Sequence, residues 1–224
     1  SGQRSETPQE LISRALASLT KPGARGGAIG ASSKGLMTDQ RRRFALEQDL
    51  RQAIDNGELA LEYQPFIDTA HKRVSGAEAL LRWRHPQLGA ISPLEFIPIL
   101  EETGLMQDVG TWVINTACRQ LREWRALGHA DFKMAINLSA QQLQNPELKN
   151  IIERTVQNHG LDPSSIEFEL TETAAMEDSA LTLQLFSGLR QAGFGLSIDD
   201  FGSGYSSLSY LKNLPFSKLK IDRE

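Results

Sequence analysis

The sequence predicts an α/β fold in which buried parallel strands alternate with helices. Short apolar runs rich in Ile, Leu, Phe, Val and Met are flanked by segments with helical spacing, which is typical of parallel strands covered on both faces. Five of these runs carry acidic or amide residues toward their ends, in VSGAEALLRW, KMAINLS, IEFELTE, FGLSIDDFG and KLKID. Because functional residues gather at the carboxyl ends of the strands of a (β/α) barrel, we expect such a barrel with its site on that face.

The beginning of the chain is predicted to lie outside this fold. The segment TKPGARGGAIGASSKG is rich in Gly, Ser and Ala, a composition typical of linkers. Residues 1–37 are therefore expected to be a linker or the end of an upstream region. Thr38 is predicted to cap a helix that ends near Gly57, so the domain is expected to cover residues 38–224.

The later elements follow from strand-like runs and helix boundary signals. LALEYQPFI and RVSGAEALLRW predict two strands joined in a hairpin by DTAHKR. Ser92 and Glu95 fit a capping box with Pro93 at the first helical position, which predicts a helix start. Pro98 should kink or break that helix, and Gly104 should end it. The remaining predicted elements are helix 109–127, strand 131–138, helix 147–158, strand 165–170, helix 178–191, strand 194–199 and strand 217–222.

The polar residues at the strand ends predict a metal site. A carboxylate at the exit of a buried strand costs free energy unless it is paired or coordinated, and the adjacent charges of Asp199 and Asp200 would repel each other without a cation. Each residue alone could be a helix cap or a solvated loop residue, but five exits together favour one shared site. Oxygen ligands without a Cys or His cluster indicate Mg²⁺, Mn²⁺ or Ca²⁺ rather than zinc.

Composition excludes several other classes of function. The net charge of −4 argues against a surface for DNA or RNA. The single cysteine, Cys118, is predicted to be buried and allows no disulfide within the chain, which fits a reducing, cytoplasmic compartment. No apolar run reaches the length of about 18 residues that indicates a membrane span, so this segment is expected to make no membrane contact. It is expected to act alone or as the cytoplasmic part of a larger sensor protein.

Six ordered motifs in the sequence resemble the EAL domain, the bacterial cyclic di-GMP phosphodiesterase family. They are YQP at 63–65, AEALLRW at 77–83, NLS at 137–139, ELTE at 169–172, DDFGSGYSSL at 199–208 and LKID at 219–222. The resemblance covers residues 38–224. It implies a TIM-like barrel that hydrolyses one phosphodiester bond of cyclic di-GMP to give linear pGpG, using two Mg²⁺ or Mn²⁺ ions.

The resemblance also assigns roles around these ions. The ligands of the first ion would be Glu78, Asn137, Glu169 and Asp199. Asp199 would bridge both ions, and Asp200 would help hold the second, so that the attacking and leaving oxygens are clamped between two cations. Lys220 would contact the attacking water, with its pKa lowered by the neighbouring cations. The structural alternative for Lys220 is a salt bridge to Asp199 or Asp222.

Substrate contacts are implied by the same motifs, at Gln64, Leu80, Arg82 and Asp222. A guanidinium suits phosphate recognition, and Arg82 lies on the same strand face as Glu78. Gln64 could equally be a hydrogen-bonding residue of the barrel rim. Glu172 resembles the residue that braces the flexible loop DFGSGYSSL, and it is included among the catalytic residues with Lys220.

The number of predicted strands falls short of a full barrel. A (β/α)₈ barrel usually takes about 250 residues, and the family's later Glu-bearing and Gln-bearing strand motifs do not occur here. We therefore expect the C-terminal βα units to be absent from this chain and the chain alone to be inactive. A non-catalytic cyclic di-GMP receptor is the alternative function, but the unchanged EAL acid and Asp pair favour the phosphodiesterase. The sequence leaves a homodimer open.

Overall fold

The structure is a computed structural model that describes residues 33–175, 180–202 and 215–221. The chain divides into two compact units, residues 1–50 and 51–224. The helix predicted to begin at Thr38 is α1 (Ser33–Ala53), so the predicted cap at Thr38 is wrong. The intervening Gly35 does not prevent this earlier start, because one glycine inside a helix costs only about 1 kcal/mol relative to alanine.

The strands and helices of residues 51–224 follow the predicted alternation. They are β1 (Leu59–Asp68), β2 (Arg73–His85), β3 (Gly89–Ile91), α2 (Pro93–Thr103), α3 (Met106–Ala126), β4 (Lys133–Asn137), α4 (Ala140–Leu143), α5 (Leu148–Asn158), β5 (Ile166–Thr171), α6 (Glu172–Ala175), α7 (Ala180–Gln191), β6 (Gly195–Phe201) and β7 (Lys218–Ile221). The sequence did not predict β3, α4 and α6, because elements this short carry no periodic signal. None of the described helices is both long enough and apolar enough to cross a membrane.

One seven-stranded sheet organises this part of the chain. Its order is β1-β2-β4-β5-β6-β7, with β3 beside β2. The first two strands form the predicted antiparallel hairpin, and β2, β4, β5, β6 and β7 run parallel to their neighbours. Five strands therefore end at the same edge of the sheet, as the predicted TIM-like α/β architecture requires. Among the described residues the sheet is open, with β1 and β7 at its two sides.

The two faces of β2 show how the sheet separates its core from its site. Ala77, Ala79 and Trp83 are at most 3% exposed, and they alternate with Glu78 and Arg82, which are partly exposed. Successive side chains of a strand point to opposite faces, so one face of β2 packs in the core and the other carries the polar residues. Other large side chains of the core are Phe96, Phe168, Phe186 and Phe194.

Two details of the predicted helix boundaries differ from the structure. Ser92 is the N-cap of α2 but its side chain makes no capping hydrogen bond, so the predicted capping box is wrong. The backbone N–H of Glu95 donates instead to the carbonyl of Ser92 at 2.9 Å, which satisfies the donor that the box would have served. The helix continues through Pro98 and ends at Gly104 with φ 80°; a break at Pro98 is therefore wrong and the end at Gly104 is confirmed.

Candidate metal centre

Strand register brings three carboxylates together at the carboxyl edge of the sheet. Asn137 of β4 pairs with Glu169 of β5, and Thr171 of β5 pairs with Asp199 of β6. Glu78, Glu169 and Asp199 each offer one oxygen, and these oxygens lie within 4.8 Å of one another. Carboxylate oxygens converging in this way can hold a hard divalent cation.

Lys220 of β7 lies in contact with the same three carboxylates. Its Nζ donates to Glu169 Oε2 at 2.7 Å. It also donates to Asp199 Oδ2 at 3.0 Å and to Glu78 Oε2 at 3.2 Å. The salt bridge to Asp199 that the sequence offered as an alternative is therefore present, whereas Asp222 lies outside the described residues.

Burial and charge shift the pKa values of this cluster. Burial raises the pKa of Glu169 to about 7, and the hydrogen bond from Lys220 opposes that rise. For Lys220, burial acts to lower the pKa, but the hydrogen bonds to Glu169 and Asp199 outweigh it and the net shift is upward. The carboxylates alone thus favour the charged ammonium, and the lowering of its pKa by two neighbouring cations stays a prediction.

A hydrogen bond holds the amide of Asn137 beside Glu78, and a capping box fixes the loop that follows β4. Asn137 Nδ2 donates to Glu78 Oε1 at 2.8 Å, so the amide oxygen is the atom that can serve as a metal ligand. Ser139 and Gln142 form a full capping box at the start of α4. The buried Gln142 packs on Gly110 of α3, where a Cβ would lie 2.1 Å from Gln142 Nε2. The S-x-x-Q spacing in the sequence was a usable signal for this box.

Asp199 and Asp200 occupy an irregularity of β6. The pairing of β6 with β7 shifts between Ile198 and Phe201, and Asp200 has φ 54°, a left-handed conformation that few residues other than glycine adopt. The backbone N–H of Asp200 donates to Asp199 Oδ1 at 2.9 Å. Asp199 belongs to the carboxylate cluster, whereas Asp200 is exposed and is not one of its three members. The role of Asp200 at a second ion stays a prediction.

Glu172 connects the end of β5 to the end of β6. Its side chain is 3% exposed, and Oε2 accepts a hydrogen bond from the backbone N–H of Gly202 at 2.8 Å. This contact is at the start of the loop that Glu172 was predicted to brace. The rest of that loop, residues 203–208, lies outside the described residues.

The predicted substrate residues of the hairpin share a face with Glu78. Gln64 is the register partner of Glu78 in the β1–β2 pairing, and Leu80 and Arg82 follow at alternate positions along β2. A cleft of about 270 Å³ opens beside them, and its lining includes Leu80, Arg82 and Asn137. The cleft is predominantly apolar where it passes under α2 and α3, which suits a flat, uncharged part of a ligand.

The fold and the cluster define a TIM-like α/β protein with a candidate centre for divalent cations at the carboxyl ends of its strands. The family model described as the EAL domain matches residues 47–224. The chain belongs to the EAL domain family.

Similar proteins carry this domain as part of a longer chain. The sequence is 43% identical over 220 residues to the bifunctional diguanylate cyclase/cyclic di-GMP phosphodiesterase MucR of Pseudomonas aeruginosa, covering 97% of this chain and 32% of that protein. It is 39% identical over 191 residues to the cyclic di-GMP phosphodiesterase NbdA of the same organism, covering 85% and 24%. The chain therefore spans about a third or less of the length of these curated relatives.

Solved structures with the same fold include complexes with nucleotides. The MucR phosphodiesterase in complex with cyclic di-GMP matches with a TM-score of 0.76 and 48% identity, over 80% of this chain and 72% of that one. The EAL enzyme Bd1971, bound to cAMP and cyclic di-GMP, matches with a TM-score of 0.77 and 34% identity, over 98% of this chain and 58% of that one.

Proposed function

We propose that the chain is the cyclic di-GMP phosphodiesterase domain of a larger bacterial signalling protein and acts in the cytoplasm. It would hydrolyse one phosphodiester bond of cyclic di-GMP and release linear pGpG. The observation that carries this proposal is the convergence of Glu78, Glu169 and Asp199 with Lys220 at one edge of the sheet. It is supported by membership of a family in which similar proteins are named for this activity.

The donor set fits Mg²⁺ or Mn²⁺. The proposed ligands of a first ion are Glu78, Asn137, Glu169 and Asp199, all of which offer hard oxygen atoms. Asp199 would be shared with a second ion that Asp200 helps to hold. When bound, the two ions would stabilise charge on the attacking and leaving oxygens and activate water.

The chain's own residues would orient the reactants. Lys220 would donate a hydrogen bond to the attacking water, and Glu169 and Asp199 would hold the ammonium in place, as their contacts with it indicate. Glu172 would keep the end of β6 in register through Gly202. Both residues would act by positioning other groups, and correct positioning can remove a large part of the activation barrier of a hydrolysis.

Substrate binding would use the hairpin face beside the cluster. Arg82 would pair with a phosphate, since a guanidinium matches two phosphate oxygens at once. Leu80 and the apolar cleft next to it would take a flat base. Gln64, opposite Glu78, would add a polar contact, and Asp222 is proposed as a further substrate contact from the LKID motif.

The test is release of pGpG from cyclic di-GMP, with Mn²⁺, by the purified larger protein of which this chain is proposed to be a domain, compared with its Glu169→Gln variant. We expect hydrolysis by the wild-type protein and none above background by the variant, because Glu169 contributes both to the ion site and to the position of Lys220. Cyclic di-GMP binding without any hydrolysis in the wild type would favour the receptor function instead. Absence of both binding and hydrolysis would contradict the proposal.

A further inference from the structure

Glu62 of β1 contacts two arginines across the hairpin. Its Oε2 accepts a hydrogen bond from Arg82 Nε at 2.9 Å, and its Oε1 accepts one from Arg84 Nη2 at 3.2 Å. In the register of the hairpin, Glu62 pairs with Leu80 and Ala60 pairs with Arg82. Glu62 therefore reaches Arg82 along the diagonal on the face that carries Glu78, a distance that long side chains span.

The contacts of Arg82 define which of its donors stay available. Nε is used by Glu62, and Nη1 donates to the carbonyl of Leu81 at 3.0 Å. A guanidinium is planar and has five N–H groups in a fixed fork, so fixing Nε and one N–H of Nη1 sets the plane and direction of the whole group. The edge formed by Nη1 and Nη2 keeps further N–H donors, and this is an edge that binds two phosphate oxygens together.

The charge and exposure of the Glu62–Arg82 pair indicate that it positions the guanidinium more than it stabilises the fold. The side chains of Arg82 and Glu62 are 30% and 51% exposed, and ion pairs exposed to this extent contribute little to folding. Hydrogen bonds from Arg82 and Arg84 lower the pKa of Glu62, so the carboxylate remains an ionised acceptor at neutral pH. Loss of the pair should leave the fold intact.

We propose that Glu62 is a positioning residue for the substrate phosphate, which it serves by holding the Arg82 guanidinium in the orientation that receives a phosphodiester. The inference rests on the proposed function and extends it to a residue outside the EAL, ELTE and DDFGSGYSSL motifs. A side chain that is ordered before the ligand arrives loses less conformational entropy on binding. Glu62 therefore acts on ground-state binding and leaves the chemical step unchanged.

Two substitutions separate orientation from charge. Glu62→Gln removes the negative charge but keeps an oxygen that can accept from Arg82 Nε, whereas Glu62→Ala removes both. If Glu62 orients Arg82, Glu62→Ala binds cyclic di-GMP more weakly than the wild type, and Glu62→Gln does not. If Glu62 is only a counter-charge that opposes the phosphate, both variants bind more tightly and to the same degree.

The experiment measures the Kd for cyclic di-GMP by calorimetry in Ca²⁺ and the Michaelis constants in Mn²⁺. We expect Glu62→Ala to raise Kd and KM by about threefold to fivefold with kcat unchanged, the range set by one exposed charge-assisted contact. Glu62→Gln should bind at least as tightly as the wild type. In an Arg82→Ala background, Glu62→Ala should have no further effect, because the guanidinium that Glu62 orients is gone and its other partner, Arg84, is not a proposed substrate contact.

Glu153→Ala is the matched control. Glu153 pairs with Lys149 at 2.7 Å on α5, so this variant removes the same charge and a similar ion pair from a helix that carries no site residue. An unchanged Kd in Glu62→Ala, or equal tightening in both Glu62 variants, would overturn the inference while leaving the proposed function standing. A wild-type protein that binds no cyclic di-GMP would overturn both.

Discussion

Two Glu–Lys pairs join the same two strands, β5 and β7, but they have different environments. The upper pair, nearer the carboxyl end of β5, is Glu169–Lys220, with Nζ 2.7 Å from Oε2. The lower pair is Glu167–Lys218, with Nζ 2.8 Å from Oε1. Glu169 is 2% exposed and Lys220 contacts two further carboxylates. Glu167 and Lys218 are 16% and 49% exposed, and Lys218 lies over the ring of Phe66.

The difference shows that residue type alone does not determine what a Glu–Lys pair does; its surroundings do. Both pairs have the same residue types and the same i, i+2 spacing on their strands, so they lie on one face of the sheet. Only the upper pair stands at the strand ends, where Glu78 and Asp199 approach it and where burial raises the pKa of Glu169 to about 7. Clusters with shifted pKa values of this kind are typical of functional sites.

Replacement of Lys220 by Met should have the largest effect on activity. Without the ammonium that would orient the water, we expect kcat to fall about 10²- to 10³-fold, as when one transition-state donor is removed. The assay is pGpG release under saturating Mn²⁺. Activity near the wild-type level would contradict the proposed role of Lys220.

The same Lys220→Met variant should also separate metal binding from activity. The ammonium contacts three carboxylates that are also proposed ligands of a divalent ion, so the two cations should compete. Removal of the ammonium should therefore tighten Mn²⁺ binding while it lowers the melting temperature measured in EDTA. We expect the free energy of unfolding in EDTA to fall by about 1–3 kcal/mol, which is less than the cost of leaving one charge of a fully buried ion pair uncompensated. Unchanged Mn²⁺ affinity, measured by calorimetry, would show that the two cations do not share these ligands.

Asp199→Asn should have the next largest effect, which is a loss of metal affinity. Asp199 is proposed to bridge both ions, and a neutral amide attracts each of them less strongly than a carboxylate does. We expect Mn²⁺ affinity to fall at least tenfold, measured by calorimetry. Equal affinities of the variant and the wild type would argue decisively against the proposed site. Ca²⁺ should compete for the wild-type site but support hydrolysis poorly, because its coordination is looser.

The sequence predicted the positions of the strand ends well, but it did not predict the contact between Glu62 and Arg82 or the backbone conformation of Asp200. Glu169 and Asp199 follow apolar runs whose length identifies a buried strand, so their location at one edge was accessible from pattern alone. The contact between Glu62 and Arg82 depends on hairpin register, which shifts between Phe66 and Ile67. The left-handed Asp200 depends on a local irregularity, and no periodic pattern encodes either feature.

Gly76→Ala should disturb the packing around Phe66, the ring over which Lys218 of the lower pair lies, and it should act mainly on stability. A Cβ on Gly76 would lie 2.2 Å from the Phe66 ring and 2.5 Å from the carbonyl of Lys133. The ring can turn but the backbone carbonyl cannot, so we expect a destabilisation of about 1–3 kcal/mol, the usual cost of overpacking. Urea unfolding measures it. Gly57→Ala is the contrasting variant, because its Cβ would meet nothing within 4 Å and only the positive φ of 68° opposes it.

Lys218→Met should have the smallest effect and is the matched control for Lys220→Met. It removes the same charge from the same strand, but its partner Glu167 is not part of the three-carboxylate cluster. The methionine keeps an apolar stem near Phe66, and exposed pairs contribute at most about 1 kcal/mol, so the urea midpoint should move little. Mn²⁺ affinity and kcat should stay within about twofold of the wild type, a change of about 0.4 kcal/mol, because the pair lies outside the three-carboxylate cluster. A large fall in kcat together with tighter Mn²⁺ binding in Lys218→Met, the result expected for Lys220→Met, would show that the lower pair helps to hold β7 in the register that Lys220 requires, and the two pairs would then act as one unit.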